Sequence, residues 1–228
     1  MSNELTQNDE YSRVSRGMLI VVSSPSGGGK GTLIDRVLKT VPNLAFSVSY
    51  TTRAPRGSEQ NGREYFFVDE PEFRAMIDRG EFLEWADVYG HLYGTSASQV
   101  ARERAAGHDI ILEIDVQGAE SIRHKVSDAI SVFILPPSFE LLRKRLVARA
   151  TDSAADLQRR LQGAPAEVAQ YEHFDYVILN DDINRASQQL AAVIYAERAR
   201  RERQTVTLRE ALEDFGPGSE PGAIATGS

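Results

Sequence analysis

A glycine-rich segment between residues 24 and 32 carries the strongest chemical signal in the sequence. It reads SPSGGGKGT, and it joins an apolar run at 18–23 to a helical pattern at 31–38. Glycine lets the backbone turn its amide groups toward one centre, and the start of a helix adds the positive end of its dipole. A plain turn would explain the glycines but not Lys30, so the segment predicts a phosphate-binding loop. The predicted phosphate contacts are Ser26, Gly27, Gly28, Gly29, Lys30, Gly31 and Thr32.

A second candidate anion site lies at Arg53 and Arg56, which flank Pro55. The proline restricts the backbone, so the two forked guanidinium groups can converge on one dianion such as a phosphate monoester. Taken alone, a pair of arginines at this spacing is better explained by an exposed protein surface. The nearby Tyr65 offers a phenolic donor to a bound anion, but it is equally explained as a core aromatic residue of a small sheet.

The elements that must hold these residues alternate between strand and helix patterns. Near-continuous apolar runs, typical of strands covered on both faces, lie at 18–23, 110–114, 129–135 and 176–179. Helical patterns lie at 31–38, 96–106, 118–124, 138–149 and 183–203. The alternation predicts an α/β fold with a parallel sheet core flanked by helices. Two stretches break the rhythm: 46–93, rich in aromatic residues, Thr, Arg and Gly, and 149–163, which we expect to be irregular.

The two ends of the chain have the composition of tails. Residues 1–16 are polar and aperiodic, and residues 216–228 are rich in glycine, proline and serine. We therefore expect a disordered N-terminal tail and a flexible C-terminal tail. Between them the sequence predicts a single domain at 17–215. Its parts are a core at 17–46, 97–148 and 164–215, a small mixed α/β insertion at 47–96, and the irregular stretch at 149–163.

Composition argues against several classes of function. The 228 residues carry a formal net charge of −7, so we expect no overall electrostatic attraction to nucleic acid or to an anionic membrane. There is no cysteine, and the four histidines do not cluster, so a zinc enzyme is not indicated. The sequence shows neither a signal-peptide pattern nor a run of about 18 apolar residues. We expect a cytoplasmic protein without a membrane partner, and a homo-oligomer stays open.

Several ordered motifs together resemble the guanylate kinase family. They are the loop PSGGGKGTL at 25–33, the segment SVSYTTRAPR at 47–56, LEIDVQGA at 112–119, and the later LPPS and LNDD. The resemblance extends from about residue 18 to about residue 203. It implies a P-loop nucleoside monophosphate kinase fold and transfer of a phosphoryl group from ATP to GMP, with dGMP as a further expected acceptor.

The resemblance assigns acceptor binding to the insertion at 47–96. Guanine presents two adjacent donors, N1–H and N2–H₂, so a carboxylate is its natural partner, and adenine lacks that pair. The resemblance gives this role to Glu84, with Ser49 and Thr95 helping to place the base and Glu113 contacting base or ribose. A solvated loop carboxylate explains Glu59 equally well. The expected GMP contacts are Ser49, Arg53, Arg56, Glu59, Tyr65, Glu84, Tyr93, Thr95 and Glu113.

On the ATP side, the resemblance implies nucleotide or lid contacts for Arg145, Arg149 and Arg160, with 149–163 as the lid, and an adenine contact for Asn180. Phosphoryl transfer needs positioning and positive charge more than a covalent nucleophile. Ala150 departs from the glycine that the family pattern suggests after Arg149. The expected catalytic set is Lys30, Arg53, Arg56, Arg149 and Arg160.

Mg²⁺ is the expected cofactor, with ATP as co-substrate. The loop departs from the strict pattern G-x-x-x-x-G-K-[ST], because Ser24 holds the first glycine position and Gly31 the position of the metal-binding hydroxyl. It resembles the loop of GKGT-type nucleotide kinases such as adenylate kinase, which implies that nucleotide oxygens and water bind most of the ion. Thr32 is an open candidate for metal contact. Asp115 is expected to orient water on the ion, or else to cap the helix that follows it.

Two other functions fit a protein of this fold. One is a kinase acting on a ribose bisphosphate, against which the presence of Ser49, Glu84 and Thr95 weighs. The other is a non-catalytic module that binds phosphopeptides through Arg53 and related residues. Lys30 and the lid arginines weigh against that module, because binding alone does not require them.

Overall fold

A computed structural model of the chain describes residues 16–148 and 154–204, together with positions 208, 209, 212 and 215. The described residues fall into two compact units, Arg16–Ile194 and a second one that includes the described residues from Tyr195 onward. The single domain expected at 17–215 stays a prediction. The predicted tails at 1–16 and 216–228 lie outside the described part of the chain, except for Arg16.

The elements follow the predicted alternation closely. The strands are β1 (Leu19–Ser23), β2 (Leu44–Phe46), β3 (Tyr50–Thr51), β4 (Phe66–Phe67), β5 (Phe82–Val88), β6 (His91–Ser96), β7 (Asp109–Glu113), β8 (Ile130–Leu135) and β9 (Tyr176–Leu179). The helices are α1 (Lys30–Thr40), α2 (Glu70–Asp78), α3 (Ala97–Ala105), α4 (Val116–Lys125), α5 (Phe139–Ala148), α6 (Ala154–Ala169) and α7 (Ile183–Arg198). Short 3₁₀ turns follow at Gln170–His173 and Arg201–Arg203. No described helix is long and apolar enough to cross a membrane.

The core sheet is parallel, with strand order β2-β7-β1-β8-β9. All five residues of β1 are buried, because alternate residues face two different helical layers. Ile20 and Val22 belong to the cluster that contains Leu33 of α1, whereas Leu19 and Val21 belong to the cluster on the other face. Burial on both faces explains why the strand sequences are continuous apolar runs. The predicted α/β fold class is confirmed.

A second sheet, with order β4-β3-β6-β5, lies within the stretch predicted as an insertion. Its pairs β3/β6 and β5/β6 are antiparallel, and β3/β4 is parallel. The β5–β6 hairpin turns at Tyr89 and Gly90, both of which have positive φ angles. Trp85 on β5 is 45% exposed, whereas the preceding residue, Glu84, is buried. This alternation gives the strand one face toward solvent and one toward the interior.

The predicted mixed α/β insertion implies a helix, and α2 is that helix, although the sequence analysis gives it no range. The side chain of Asp69 accepts a hydrogen bond from the amide of Glu72, and Pro71 lies in the first turn. The helix buries Phe73, whose ring stacks on Phe82 of β5 with centroids 4.5 Å apart. The dense aromatic composition of this stretch conceals the helical pattern.

The prediction that 149–163 is irregular is wrong from residue 154 onward, where α6 begins. Leu157, Leu161 and Ala164 recur at helical spacing and pack on α5 through Leu142 and Leu146. Pro165 lies inside the helix, where proline removes one backbone hydrogen bond and is normally a sign against a helix. The predicted helix at 183–203 is also too long, because α7 ends at Arg198 and a 3₁₀ turn follows.

The start of β1 is fixed to α3 by a buried arginine. The Nε of Arg104 donates to the carbonyl of Gly17 at 2.8 Å, and its Nη2 pairs with Asp128. The amide of Gly17 donates in return to the carbonyl of Arg104 at 2.9 Å. A Cβ at position 17 would lie 1.8 Å from the carbonyl oxygen of His108, so this crossing requires glycine. The contact determines where the strand enters the sheet.

We expect Arg104→Ala to lower the free energy of unfolding by about 2 kcal/mol, because it leaves the buried carbonyl of Gly17 without the Arg104 donor. The matched control is Arg102→Ala on the same helix. Arg102 is exposed and pairs with its neighbour Glu103, so its loss should change stability by less than about 0.5 kcal/mol. Urea denaturation of the two variants and the unmodified chain measures both values. Equal losses of stability in the two variants would show that the buried Arg104 contributes no more than an exposed arginine.

Candidate active site

The segment between β1 and α1 has the geometry of an anion-binding loop. Gly27 and Gly29 have φ angles of 83° and 91°, and the amide of Gly28 donates to the carbonyl of Pro25 at 2.9 Å. Gly29 is the N-cap of α1 and provides no side-chain hydrogen bond to the helix. The first amide groups of α1 therefore have no side-chain cap and are available to an anion.

The two positions that depart from the strict loop pattern have different surroundings. Ser24 is buried, and its hydroxyl donates to the carbonyl of Pro25 at 2.9 Å. A Cβ at Gly31 would lie 3.4 Å from a carboxylate oxygen of Glu113 at the end of β7. That distance is ordinary van der Waals contact, so a side chain at position 31 would touch the Glu113 carboxylate without a clash. In this chain a carboxylate occupies the space beside the position where the strict pattern has a hydroxyl.

Arg53 is the centre of a polar network on the opposite wall of the cleft. It is only 6% exposed, and its Nη1 and Nη2 donate to the two carboxylate oxygens of Glu59 at 2.9 and 3.0 Å. Its Nε donates to the hydroxyl of Tyr93 at 3.2 Å, and the amide of Arg56 donates to Glu59 at 2.7 Å. Burial opposes ionisation of Glu59, but the bonds to Arg53 and Arg56 outweigh it and lower the pKa of the carboxyl.

Tyr65 and Tyr93 extend this network with aromatic contacts. The guanidinium carbon of Arg53 lies 5.3 Å from the ring centroid of Tyr65, and the rings of Tyr65 and Tyr93 meet edge to face at 5.8 Å. Burial raises the pKa of Tyr65 well above its usual range. The Tyr65 phenol therefore stays protonated at neutral pH and can donate a hydrogen bond.

Glu84 is a buried carboxylate in the same cleft. Its Oε1 accepts a hydrogen bond from the hydroxyl of Thr95 on the neighbouring strand. A Cβ at Gly118 would lie 2.7 Å from its Oε2, so only glycine at the start of α4 leaves room for the carboxylate. Burial raises the pKa of Glu84 to about 7, and the nearby charge of Asp115 adds to the rise, while the Thr95 bond opposes it. The environment thus brings its titration close to neutral pH.

Asp115 serves as the N-cap of α4. Its Oδ1 accepts from the amide of Gly118 at 2.9 Å, and its Oδ2 accepts from Nε2 of Gln117 at 3.1 Å. The capping alternative is therefore realised in the structure. Each oxygen keeps a further lone pair, so the water-mediated metal role stays a prediction.

A second pocket beside the loop is lined by Arg145 and Asn180, among others. The Nδ2 of Asn180 donates to the carbonyl of Gly28 at 2.9 Å, and Nη1 and Nη2 of Arg145 donate to the carbonyls of Gly28 and Asn180, each at 3.2 Å. Both side chains therefore hold the phosphate-binding loop through the carbonyl of Gly28. The Oδ1 of Asn180 is buried and has no hydrogen-bond partner among the described residues.

The structure brings most of the predicted residues to one cleft. Thr95 does not line the cleft but lies behind Glu84, and Arg145 and Asn180 line the adjacent pocket. Arg149 and Ala150 lie outside the described residues. The predicted residues that line the cleft are Ser26, Gly27, Gly28, Gly29, Lys30, Gly31, Thr32, Ser49, Arg53, Arg56, Glu59, Tyr65, Glu84, Tyr93, Glu113, Asp115 and Arg160.

Sequence reasoning missed two residues that belong to this site. Glu167 on α6 lines the cleft, and its Oε2 accepts from the amide of Ser26 at 2.8 Å. No local sequence signal marks Glu167, because the stretch predicted to be irregular covers the start of its helix. Gly118 is the other, and the family resemblance of LEIDVQGA contained it without indicating that it makes room for Glu84.

Comparison with known proteins agrees with this geometry. The family described as Guanylate kinase matches residues 16–197. The guanylate kinase of Dechloromonas aromatica is 54% identical over 180 residues, covering 79% of this chain and 89% of that protein. The guanylate kinase of Myxococcus xanthus is 49% identical over 192 residues, covering 84% of this chain and 92% of that protein.

The crystal structure of guanylate kinase from Anaplasma phagocytophilum superposes with a TM-score of 0.73 at 36% identity. The superposition covers 88% of this chain and 95% of that one. The resemblance inferred from the motifs is thereby confirmed, since a family match across most of the chain, close relatives and a solved structure agree. This chain belongs to the guanylate kinase family.

Proposed function

We propose that the chain transfers the γ-phosphoryl group of ATP to GMP, giving ADP and GDP. The observation that carries the proposal is the pairing of two unlike walls in one cleft. One wall is the uncapped start of α1 with Lys30, which suits a polyphosphate. The other wall holds Arg53 and the buried Glu84, which suit a phosphate monoester and a base with two adjacent donors.

The acceptor is held at both ends in this account. Arg53 and Arg56 bind its phosphate, and the phenols of Tyr65 and Tyr93 add donors. Glu84 accepts from guanine N1–H and N2–H₂, with Ser49 beside it in the cleft. Thr95 acts as a positioning residue, because its hydroxyl holds the carboxylate. We infer that dGMP is also accepted.

Glu59 acts as the positioning residue for Arg53. Its two oxygens are already engaged by the Arg53 guanidinium, and one of them also accepts from the amide of Arg56. Four of the five Arg53 N–H donors are engaged by Glu59, Tyr93 and the carbonyl of Ala54, which leaves one Nη2 donor for a ligand in this conformation. The incoming phosphate therefore meets a guanidinium whose position is already fixed and does not have to order a flexible side chain.

The donor nucleotide is held by the loop amides and by positive side chains. Lys30 lies beside the β- and γ-phosphates, and Arg160, together with Arg149, supplies charge from the lid segment. These groups stabilise the charge that develops on the transferring phosphoryl group. The unpartnered Oδ1 of Asn180 suits the exocyclic amine of adenine, because that amine is a donor.

The oxygen donors near the loop fit Mg²⁺ held mainly by the nucleotide. Mg²⁺ prefers oxygen ligands and usually keeps several waters. Within the described residues, no three acidic, histidine or cysteine side chains are grouped as a metal site. Thr32 and Asp115 are the residues that would hold the ion, Asp115 through water. When bound, the ion neutralises phosphate charge.

We infer that the reaction serves purine nucleotide metabolism in the cytoplasm.

The function is tested by measuring ADP formation with GMP, dGMP, AMP and ribose 1,5-bisphosphate as acceptors. We expect turnover with GMP and dGMP, little with AMP, and none with the bisphosphate. Lys30→Ala should lower kcat by at least about a hundredfold, because it removes a charge beside the migrating group. Lys39→Ala, in the last turn of the same helix, is the matched control and should leave kcat unchanged. Activity with ribose bisphosphate but not GMP would overturn the proposal.

The role of Glu84 is tested by Glu84→Gln. This variant keeps the size of the side chain but replaces one acceptor oxygen by an amide N–H₂ group, which would face the guanine donors. Loss of a charged hydrogen bond with an unpaired group left behind costs about 1–3 kcal/mol, so kcat/KM for GMP should fall about tenfold to a hundredfold. AMP lacks the donor pair, so its kcat/KM should fall less than that of GMP. Specificity constants for both acceptors give the ratio, with thermal melting as the check on folding. An unchanged ratio would remove Glu84 from base recognition.

The raised pKa of Glu84 predicts that the affinity for GMP depends on pH. Below about 7 the carboxyl is protonated in the unliganded chain, and it must release a proton before it can accept both guanine donors. The KM for GMP should therefore rise as the pH falls from 8 to 6, while the KM for ATP changes little. Glu84→Gln shares the titration of the GMP phosphate but lacks this carboxyl, so the difference between the two profiles isolates Glu84.

Stability provides an independent check on the same group. A pKa raised from its ordinary 4.5 to about 7 means that the protonated form favours the folded state. The contribution is fully present below pH 4.5 and is lost as the pH rises through 7. The melting temperature of the unliganded chain should fall over that window relative to Glu84→Gln. Parallel curves would show that Glu84 titrates normally.

A further inference from the structure

Three elements of the chain meet at one carboxylate, that of Glu167. Its Oε2 accepts from the amide of Ser26 in the phosphate loop at 2.8 Å, and its Oε1 accepts from the hydroxyl of Tyr89 at 2.8 Å. Ser26 belongs to the ATP wall, Tyr89 to the hairpin of the acceptor sheet, and Glu167 to α6. One side chain therefore bonds directly to both substrate walls. We call this arrangement of Tyr89, Glu167 and Ser26 the junction.

The face of α6 is shaped to receive Tyr89. Arg160, Gly163 and Glu167 lie three and four residues apart, on one side of the helix. The guanidinium carbon of Arg160 is 5.6 Å from the ring centroid of Tyr89. A Cβ at position 163 would stand 2.8 Å from the Tyr89 hydroxyl, so Gly163 leaves the space that the phenol fills. The helix thus offers a stacking cation, a gap and an acceptor to one tyrosine.

Tyr89 is itself held in a costly backbone conformation. Its φ of 56° lies in the left-handed region, which costs a residue other than glycine about 1 kcal/mol or more. The turn is secured on both sides, because the amide of Gly90 donates to Oδ1 of Asp87 at 2.7 Å and Nε2 of Gln117 donates to the carbonyl of Asp87 at 3.1 Å. The phenol is therefore aimed at α6 by a fixed turn.

We propose that Tyr89 and Glu167 are positioning residues that couple the acceptor site to the ATP site. A nucleotide that orders the phosphate loop also fixes Ser26, and through Glu167 and Tyr89 it fixes the hairpin between β5 and β6. The first ligand to bind loses free energy because it must order these elements. The second ligand binds elements that are already ordered and does not bear this entropic cost, so each ligand strengthens binding of the other. The proposal rests on the two-substrate function above, and neither residue has to touch a substrate.

The coupling is measured without turnover. Calorimetry gives the Kd of GMP alone and in the presence of a saturating non-hydrolysable ATP analogue, and the ratio of the two is the coupling factor. We expect the analogue to tighten GMP binding to the unmodified chain by at least about fivefold. Tyr89→Phe, which deletes only the hydroxyl, and Glu167→Ala should each reduce the factor by at least about threefold. The reciprocal titration, of the analogue with and without GMP, must give the same factor.

Matched variants separate the junction from a general loss of structure. Tyr171→Phe removes another phenol that donates to a glutamate, Glu172, without reaching the loop, and it should leave the coupling factor unchanged. Glu167→Gln keeps an oxygen for Ser26 and an amide for the phenol, so it should retain most of the coupling. The double variant Tyr89→Phe/Glu167→Ala should have the same coupling factor as Glu167→Ala alone, because the two residues act as one unit.

The outcomes distinguish this proposal from the proposed function. GMP turnover in the unmodified chain with an unaltered coupling factor in Tyr89→Phe and Glu167→Ala would overturn the junction and leave the function standing. An unmodified chain without any coupling would also overturn it. Loss of coupling in Glu167→Gln equal to that in Glu167→Ala would contradict the geometric account. Failure to bind GMP at all would count against the proposed function itself.

Discussion

The backbone amide groups at the start of α1 are the interaction on which the site depends. A helix cannot bond its own first donors, and the N-cap residue Gly29 has no side chain to cap them. The loop that exposes them needs left-handed glycines, a buried β1 that ends beside them, and a sheet order that places β7 and β8 on either side. The start of α1 stabilises negative charge, although the chain as a whole has a net charge of −7. The other groups of the cleft surround this positive site.

Carboxylates hold the anion-binding groups in order in the unliganded chain. Glu59 faces the Arg53 guanidinium, Glu167 accepts from the Ser26 amide, and Glu113 lies beside Gly31. Glu59 and Glu167 thus fix the Arg53 guanidinium and the Ser26 amide through hydrogen bonds. This arrangement reduces the ordering that binding must impose, at the cost of placing acidic side chains close to sites meant for phosphates.

The sequence predicted what local chemistry determines and missed what long-range packing determines. The parallel sheet, the loop at 24–32 and the cleft position of Arg53 and Glu84 follow from patterns and motifs that are contiguous in sequence. Helix α6 was missed because Pro165 weakens its pattern, whereas packing on Leu142 and Leu146 stabilises it. The contact of Glu167 with Ser26 joins residues 141 positions apart, and no local pattern records such a pair.

The alternation of β5 has an optical consequence. Glu84 faces the cleft, and the next residue, Trp85, is half-exposed on the other face of the strand. Trp85 is the sole tryptophan in all 228 residues. Excited at the red edge of its absorption, where tyrosine contributes little, the chain therefore emits from one indole, one peptide bond away from the carboxylate that we assign to guanine. The acceptor sheet has its own built-in fluorophore, with no second indole in the chain to dilute the signal.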